Sequence, residues 1–101
     1  VKVVYITNDE TKVGARLFEA HMTINDLPQM ARWAVSKGDF LAQIEDQCNV
    51  SIVVRGAFIA DPKANGERLY LKVESDIQSD VARAVAQLQR CIVDSLQTAT
   101  N

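Results

Sequence analysis

The chain has 101 residues and a mass of 11.2 kDa, which is enough for one hydrophobic core but too short for a catalytic domain with a cofactor fold. Its hydrophobic content of 48% and charged content of 24% are those of a globular domain, not of a disordered segment. The net charge of −2 gives no overall basic field, so any nucleic-acid binding must come from a local patch and should be modest in affinity.

Two further classes of protein are not supported by the composition. No apolar run approaches the roughly 18 residues that span a membrane, and no signal-peptide pattern opens the chain, so we expect an intracellular domain without a membrane partner. Cys48 and Cys91 lie far apart without metal-ligand spacing, and we predict two reduced thiols and no metal site.

The N-terminal quarter predicts one confident strand. Residues 1–6 are β-prone and precede a polar turn at 7–11, so residues 1–17 form either an N-terminal arm or an extra strand. Residues 18–24 alternate with a period of two, which is typical of a half-buried strand. The apolar face of that strand carries Phe18, Ala20, Met22 and Ile24.

Two helices follow, separated by a glycine turn. Asn25 or Asp26 can cap the first helix, over about residues 28–35, and Pro28 suits its first turn because the missing amide there would be unpaired. The segment Ser36-Lys37-Gly38 breaks this helix. Asp39 can cap a second helix, with apolar residues at Phe40, Leu41, Ile44 and Cys48.

The C-terminal half predicts two strands and a long helix. A β-branched strand at 50–55 ends at Arg55-Gly56, a polar loop covers 61–66, and a second alternating strand occupies 69–73. Ile52 and Val54 are expected to be buried against the last helix. That helix carries a continuous apolar stripe of Ile77, Val81, Ala84, Val85, Leu88, Cys91, Ile92 and Leu96, and residues 98–101 should fray.

No constellation of residues indicates catalysis. The chain lacks the Gly-rich phosphate loop and the Asp-Glu-Ala-Asp string of helicases, so it should not cleave ATP, and it needs no cofactor. His21 is the only histidine and lies in a strand without a nucleophile at a recognisable spacing, which favours a structural role.

The order strand, helix, helix, strand, strand, helix is that of a eukaryotic-type KH fold. Three strings carry a more specific resemblance: INDLPQMARW at 24–33, FLAQIEDQCNVSIVVRGAF at 40–58 and GERLYLKVES at 66–75. They resemble the degenerate KH-like C-terminal domain of the DEAD-box RNA helicases that act in prespliceosome assembly with the branch-site snRNP. The resemblance implies an α+β domain over residues 18–97, with a three-stranded antiparallel sheet packed on three helices.

The resemblance also places a candidate RNA groove between the first two helices and the strand 50–55. In KH domains a GxxG loop lets the nucleic-acid backbone approach closely. Here that position reads Val35-Ser36-Lys37-Gly38, and the bulky Val35 in place of the first glycine is expected to limit the approach. The candidate RNA-binding residues are Ser36, Lys37, Gly38, Phe40, Arg55, Phe58 and Lys63.

Two of the candidate contacts have competing interpretations. Trp33 can stack on a base, but its place in a short amphipathic helix favours a core or interhelical anchor. Arg55 can bind phosphate through its planar fork, or it can form a salt bridge with Glu67 or Asp61.

The function implied by the resemblance is that of a non-catalytic, nuclear module of a spliceosomal helicase. One hypothesis is weak binding of single-stranded RNA in the groove. The other is that the broken loop has lost RNA binding and that the domain docks on a snRNP protein instead.

Overall fold

A computed structural model describes residues 1–10 and 15–99 of the chain and shows an α+β fold. From the second strand onward, the order of strands and helices is the one that the sequence predicts, and one further strand precedes them at the N-terminus. The elements are β1 (Val3–Glu10), β2 (Ala15–Thr23), α1 (Gln29–Ser36), α2 (Gly38–Cys48), β3 (Ser51–Arg55), β4 (Tyr70–Ser75) and α3 (Gln78–Ala99).

The sheet has four strands in the order β1-β2-β4-β3, with every pair antiparallel. The expected count of three is therefore wrong. Residues 3–10 pair with β2 from Val3 opposite Met22 to Glu10 opposite Ala15. The prediction of a polar turn at 7–11 is also wrong for residues 7–10, because their backbone pairs with β2. Thr11 lies outside the described residues.

The core lies between the inner face of the sheet and the three helices. Ala20 and Met22 of β2 and Leu71 and Val73 of β4 are completely buried because they alternate onto that face. The α3 stripe covers them through Val81, Ala84, Val85, Leu88 and Ile92, all buried. Ile77 does not belong to the stripe: it precedes the first residue of α3 and is 47% exposed.

Val54 is the second exception to the expected core. It pairs with Leu71 and shares the inward face with Ile52, which is buried, yet Val54 is 40% exposed. β3 is an edge strand, and its last residues extend beyond the cover that the helices provide. The inner face of the sheet therefore has an apolar side chain open to solvent at this end.

The helix starts differ from the expected capping. Neither α1 nor α2 has a side-chain cap, and their N-cap residues are Pro28 and Lys37. Asp39 lies within the first turn of α2. Asn25 is buried, and its side-chain amide bonds to the backbone of Ile59 in the loop between β3 and β4. Because it is engaged there, this side chain does not cap α1.

The junction between α2 and β3 is held by Glu45. Asn49 ends α2 in the left-handed conformation, at φ 57°, which asparagine tolerates better than most residues. The backbone carbonyl of Glu45 accepts from Asn49 and Val50, and its side-chain Oε2 accepts from the Ile52 amide at 2.9 Å. The Glu45 carboxylate thus gives the Ile52 amide a hydrogen-bond partner, although β3 lies at the edge of the sheet.

At the C-terminus, α3 continues to Ala99, so the helix extends into the segment that was expected to fray from residue 98. Thr100 and Asn101 lie outside the described residues. None of the helices described is both long and apolar enough to cross a membrane.

Candidate nucleic-acid interface

The turn between α1 and α2 is the centre of the predicted interface. α1 ends at Ser36 and α2 begins at Gly38, so Lys37 alone connects the two helices. Val35 is the last but one residue of α1 and is completely buried. The interpretation that Val35 obstructs a ligand is therefore wrong, because its side chain lies in the core and does not face the turn.

The start of α2 is open to an incoming group. A Cβ atom placed on Gly38 would meet nothing within 4 Å. The first backbone amides of an α-helix have no partner within the helix, and here no side chain caps them. Such a helix end, with the exposed Lys37 before it, favours an anion. The exposed Asp39 in the first turn opposes this effect with a negative charge.

The hydroxyl group of Ser36 is already engaged. It donates to the backbone carbonyl of Arg32 one turn earlier at 2.6 Å. Of the predicted turn residues, Lys37 and Gly38 are therefore the ones that remain open to a ligand.

Phe58 is half exposed and contacts Arg32 of α1, which was not among the predicted RNA-binding residues. The Arg32 guanidinium carbon is 3.8 Å from the centroid of the Phe58 ring, and Arg32 Nη1 also donates to the Leu27 carbonyl. The two partners are separated by 26 positions in sequence, so no local pattern marks them. We define the β3 surface as Arg32, Lys37, Gly38, Val54 and Phe58.

Arg55 does not belong to this surface. It pairs with Tyr70 and alternates with Val54, which places it on the helix-free face of the sheet. There its positive charge opposes the rise in the pKa of Lys72, which the hydrogen bond from Lys72 to Glu74 mainly causes. Within residues 1–10 and 15–99 neither of the alternative salt bridges, to Glu67 or Asp61, is formed, and the Arg55 side chain has no hydrogen bond or ion pair.

The loop between β3 and β4 is ordered by its own backbone contacts. Arg68 donates to the carbonyls of Gly66, Asp61 and Pro62, and the Lys63 amide donates to Asp61 Oδ1 at 2.9 Å. The Lys63 side chain is exposed on this loop. Gly56 has φ 76° and a Cβ there would overlap the Arg68 carbonyl, so the Arg55-Gly56 turn requires glycine.

Phe40 and Trp33 are also placed differently from expectation. Phe40 is half-buried and lines a groove between α1, α2 and α3, away from Arg55. Trp33 is 61% exposed, so the expectation of a core or interhelical anchor is wrong. The helical period puts Ala31 and Val35 on the core side of α1, and this rotation turns Trp33 outward.

The predicted RNA-binding residues thus fall into separate groups. Lys37 and Gly38 share the α1–α2 turn, Phe58 contacts α1 through Arg32, and Lys63 lies on the neighbouring loop. Arg55 occupies the outer face of the sheet and Phe40 the groove among the helices. Of these residues, the structure joins Phe58 to Arg32, and it leaves Val54 exposed on the inner face of β3.

The outer face of the sheet carries a cluster of charges that bind one another. Lys72 donates to Glu74 Oε1 at 2.9 Å, and this bond is the main reason that the pKa of Lys72 is raised. His21 lies 3.1 Å from Glu19 Oε2 and its ring packs on Tyr70. In the described part of the chain no three histidine, cysteine or acidic side chains converge to hold a metal ion.

Comparison with known proteins identifies the family. A model of the KH-domain family matches residues 18–98, the segment from β2 through α3. The chain belongs to the KH-domain family. β1 (Val3–Glu10) precedes the matched segment.

Relatives of this KH domain include pre-mRNA-processing and DEAD-box RNA helicases. It is 38% identical over 91 residues to the pre-mRNA-processing ATP-dependent RNA helicase PRP5 of Phaeosphaeria nodorum, covering 86% of this chain and 8% of the relative. It is 36% identical over 87 residues to DEAD-box ATP-dependent RNA helicase 45 of Oryza sativa subsp. japonica, covering 83% and 9%.

A human relative gives the same picture. The probable ATP-dependent RNA helicase DDX46 of Homo sapiens is 33% identical over 82 residues, covering 78% of this chain and 8% of the relative. The chain thus spans less than a tenth of these relatives and corresponds to their KH domain, not to their catalytic region. No solved structure gives a significant match.

Proposed function

We propose that this KH domain is a non-catalytic, nuclear module of a DEAD-box helicase in pre-mRNA splicing, and that it binds single-stranded RNA weakly through the β3 surface. The observation that carries the proposal is the KH-domain match over residues 18–98, which includes the α1–α2 turn and β3. The relatives named for pre-mRNA processing support the splicing context and hence the nucleus.

The geometry supports RNA at this surface in two ways. The uncapped start of α2 at Gly38, beside Lys37, suits a phosphate group. The Phe58 ring and the exposed Val54 give bases an apolar surface, and the Arg32 guanidinium already stacks on that ring. Lys63 can add a second phosphate contact from the loop.

Weak binding follows from the charges. Lys37 and Lys63 are the exposed ammonium groups near this surface, whereas Asp39 puts a carboxylate in the first turn where the phosphate would bind. Each phosphate contact contributes to a salt-dependent affinity, so few contacts give a shallow slope.

The test is a titration of the labelled domain with short single-stranded RNA, followed by backbone amide shifts at two salt concentrations. The expected result is a cluster of shifts at Lys37, Gly38 and Phe58, with affinity that falls as salt rises. Shifts confined to the outer sheet face, or no shifts at millimolar RNA, would overturn the proposal.

One variant sharpens this test. Asp39→Asn removes the carboxylate from the first turn of α2 and should tighten RNA binding. Asp46→Asn changes the net charge equally from an exposed position in the last turn of α2 and should have a smaller effect. Equal effects would point to a general charge effect and not to phosphate at the helix start.

A second function, docking on a spliceosomal snRNP protein, is favoured by the α1–α2 connection. The GxxG loop of RNA-binding KH domains is replaced by a single linking residue, Lys37, while the position of the first glycine lies buried inside α1. Absence of RNA binding in both the parent domain and Asp39→Asn would support this alternative.

A further inference from the structure

An open groove of about 690 Å³ lies among the three helices, on a different surface from β3. We call it the helix groove. α1 contributes Met30, α2 contributes Phe40, and α3 contributes Arg90, Cys91 and Asp94. Its size is within the range of sites that hold one or two large side chains.

Most of the exposed surface that lines the helix groove is apolar, although Gln47, Gln87 and Ser95 also line it. Met30 is 54% exposed, and Phe40 and Cys91 are half-buried with part of their surface open. Burial raises the pKa of the Cys91 thiol, which reflects the poorly hydrated lining. Trp33 lies one helical turn after Met30 and is 61% exposed, which extends this apolar surface along α1. Adjacent exposed apolar side chains of this size are typical of a docking site.

The cations beside the groove are unpaired. Neither Arg90 nor Lys37 forms a hydrogen bond from its side chain or an ion pair with any described residue. After burial, the charges of Asp94, which raises the pKa of the Cys91 thiol, and of Lys37, which lowers it, both act on this group. Asp94, the acidic residue of the lining, is engaged in an interaction of its own. Of these three charged side chains, the two that lack a partner among the described residues are therefore the cations Lys37 and Arg90.

We propose that the helix groove binds a protein segment with one or two large apolar side chains flanked by acidic residues. The apolar side chains occupy the space between Met30, Phe40 and Cys91, and the acidic residues meet Lys37 and Arg90. A peptide fits better than RNA because most of the exposed lining is apolar, and its Met30, Phe40 and Cys91 side chains offer phosphates no strong donor. Lys37 borders both the helix groove and the β3 surface, but the inference does not depend on RNA binding at the β3 surface.

The probe is a displayed library of short peptides with Leu, Phe or Trp at two central positions and Asp, Glu, Ser or Lys at the flanking positions. Selection on the 101-residue chain should enrich acidic flanks around the apolar pair. Enrichment of lysine flanks, or no enrichment over a library without the apolar pair, overturns the proposal.

Enriched peptides are then synthesised and mapped without any substitution in the domain. Bound peptide should shift the Met30 methyl resonance and slow the alkylation of Cys91 by iodoacetamide, because it covers the thiol. Shifts confined to Gly38 and Phe58 would place the peptide on the β3 surface and overturn the proposal. Loss of Cys91 alkylation with single-stranded RNA in place of peptide would overturn it in favour of RNA.

A reciprocal pair of exposed substitutions separates the two surfaces. Arg90→Glu should weaken peptide binding about three- to tenfold, through one lost exposed ion pair and the repulsion that replaces it. Lys63→Glu makes the same change of charge on the β3–β4 loop and should leave peptide affinity unchanged while it weakens RNA binding. Equal effects of the two variants on the peptide would overturn the assignment to the helix groove.

Discussion

The side-chain amide of Asn25 is bonded to both backbone groups of Ile59, 34 positions away in sequence. Its Nδ2 donates to the Ile59 carbonyl and its Oδ1 accepts from the Ile59 amide, both at 2.8 Å. Oδ1 also lies 3.5 Å from the Leu69 amide. Asn25 is 2% exposed, so one buried amide joins the start of the α1 region to both ends of the β3–β4 loop.

Asn25→Asp should destabilise the domain although it preserves shape. The carboxylate can still accept from the Ile59 amide, but it cannot donate to the Ile59 carbonyl, and two acceptors then face each other in a buried site. We expect a loss of about 1–3 kcal/mol in the free energy of unfolding. Urea denaturation measures this loss, and Asn65→Asp on the exposed loop is the control. Equal midpoints for the two variants would contradict the role of Asn25.

Gly56 and Gly38 form a matched pair of glycines. Gly56→Ala is strained at φ 76° and places a methyl group against the Arg68 carbonyl, so it should cost more than about 1 kcal/mol of stability. Gly38→Ala meets open space at the first residue of α2 and should leave stability equal or slightly higher. Thermal melts of both variants compare them directly. A Gly56→Ala melting temperature equal to that of the parent would disprove the close approach.

Gly38→Ala also separates stability from RNA binding. The added methyl group would stand where the proposed phosphate approaches the α2 amides, so RNA affinity should fall while the melting temperature does not. Amide shifts on titration with single-stranded RNA measure the affinity. Unchanged affinity would remove the α2 start from the proposed interface.

Leu88 tests the packing of α3 on the sheet. It is completely buried, and Leu88→Ala should cost about 2–5 kcal/mol through lost burial and a residual cavity. Gln89→Ala, at the next position on the exposed side of α3, should change stability little. Gln87 is a poorer control because its Nε2 lies 3.4 Å from the Cys48 thiol.

The pH dependence of Cys91 alkylation reports the hydration of the helix groove. Burial raises the pKa of this thiol, so less thiolate is present at a given pH than in the unfolded chain. Because the folded state favours the neutral thiol, burial of Cys91 contributes to the stability of the fold at pH values below the pKa of the unfolded chain. This contribution is lost as the pH rises through the pKa of the folded chain. Site-resolved mass spectrometry of alkylation rates, in buffer and in urea, should give a higher midpoint for the folded chain. A lower midpoint in the folded state would mean that the lining is polar.

The sequence by itself determined the elements that follow a local period. Alternation predicted β2 and β4 with their buried residues, and the helical stripe predicted α3 with Leu88 at its centre. The strings at 24–33, 40–58 and 66–75 indicated the KH family, which the match over residues 18–98 confirms. The alternation of buried and exposed residues in a strand depends only on neighbouring positions, so it can be predicted from the sequence without knowledge of the fold.

The tertiary structure decided the features that depend on distant partners. Pairing with β2 turned residues 3–10 into a fourth strand, and the rotation of α1 about its axis buried Val35 and exposed Trp33. Asn25 bonds to Ile59 and therefore does not cap α1, and Arg32 contacts Phe58, which is 26 positions away in sequence. The place of β3 at the edge of the sheet left Val54 exposed although it is on the inner face. These outcomes depend on which faces come together when the sheet and helices pack, and that packing is set by the whole core, not by any local segment.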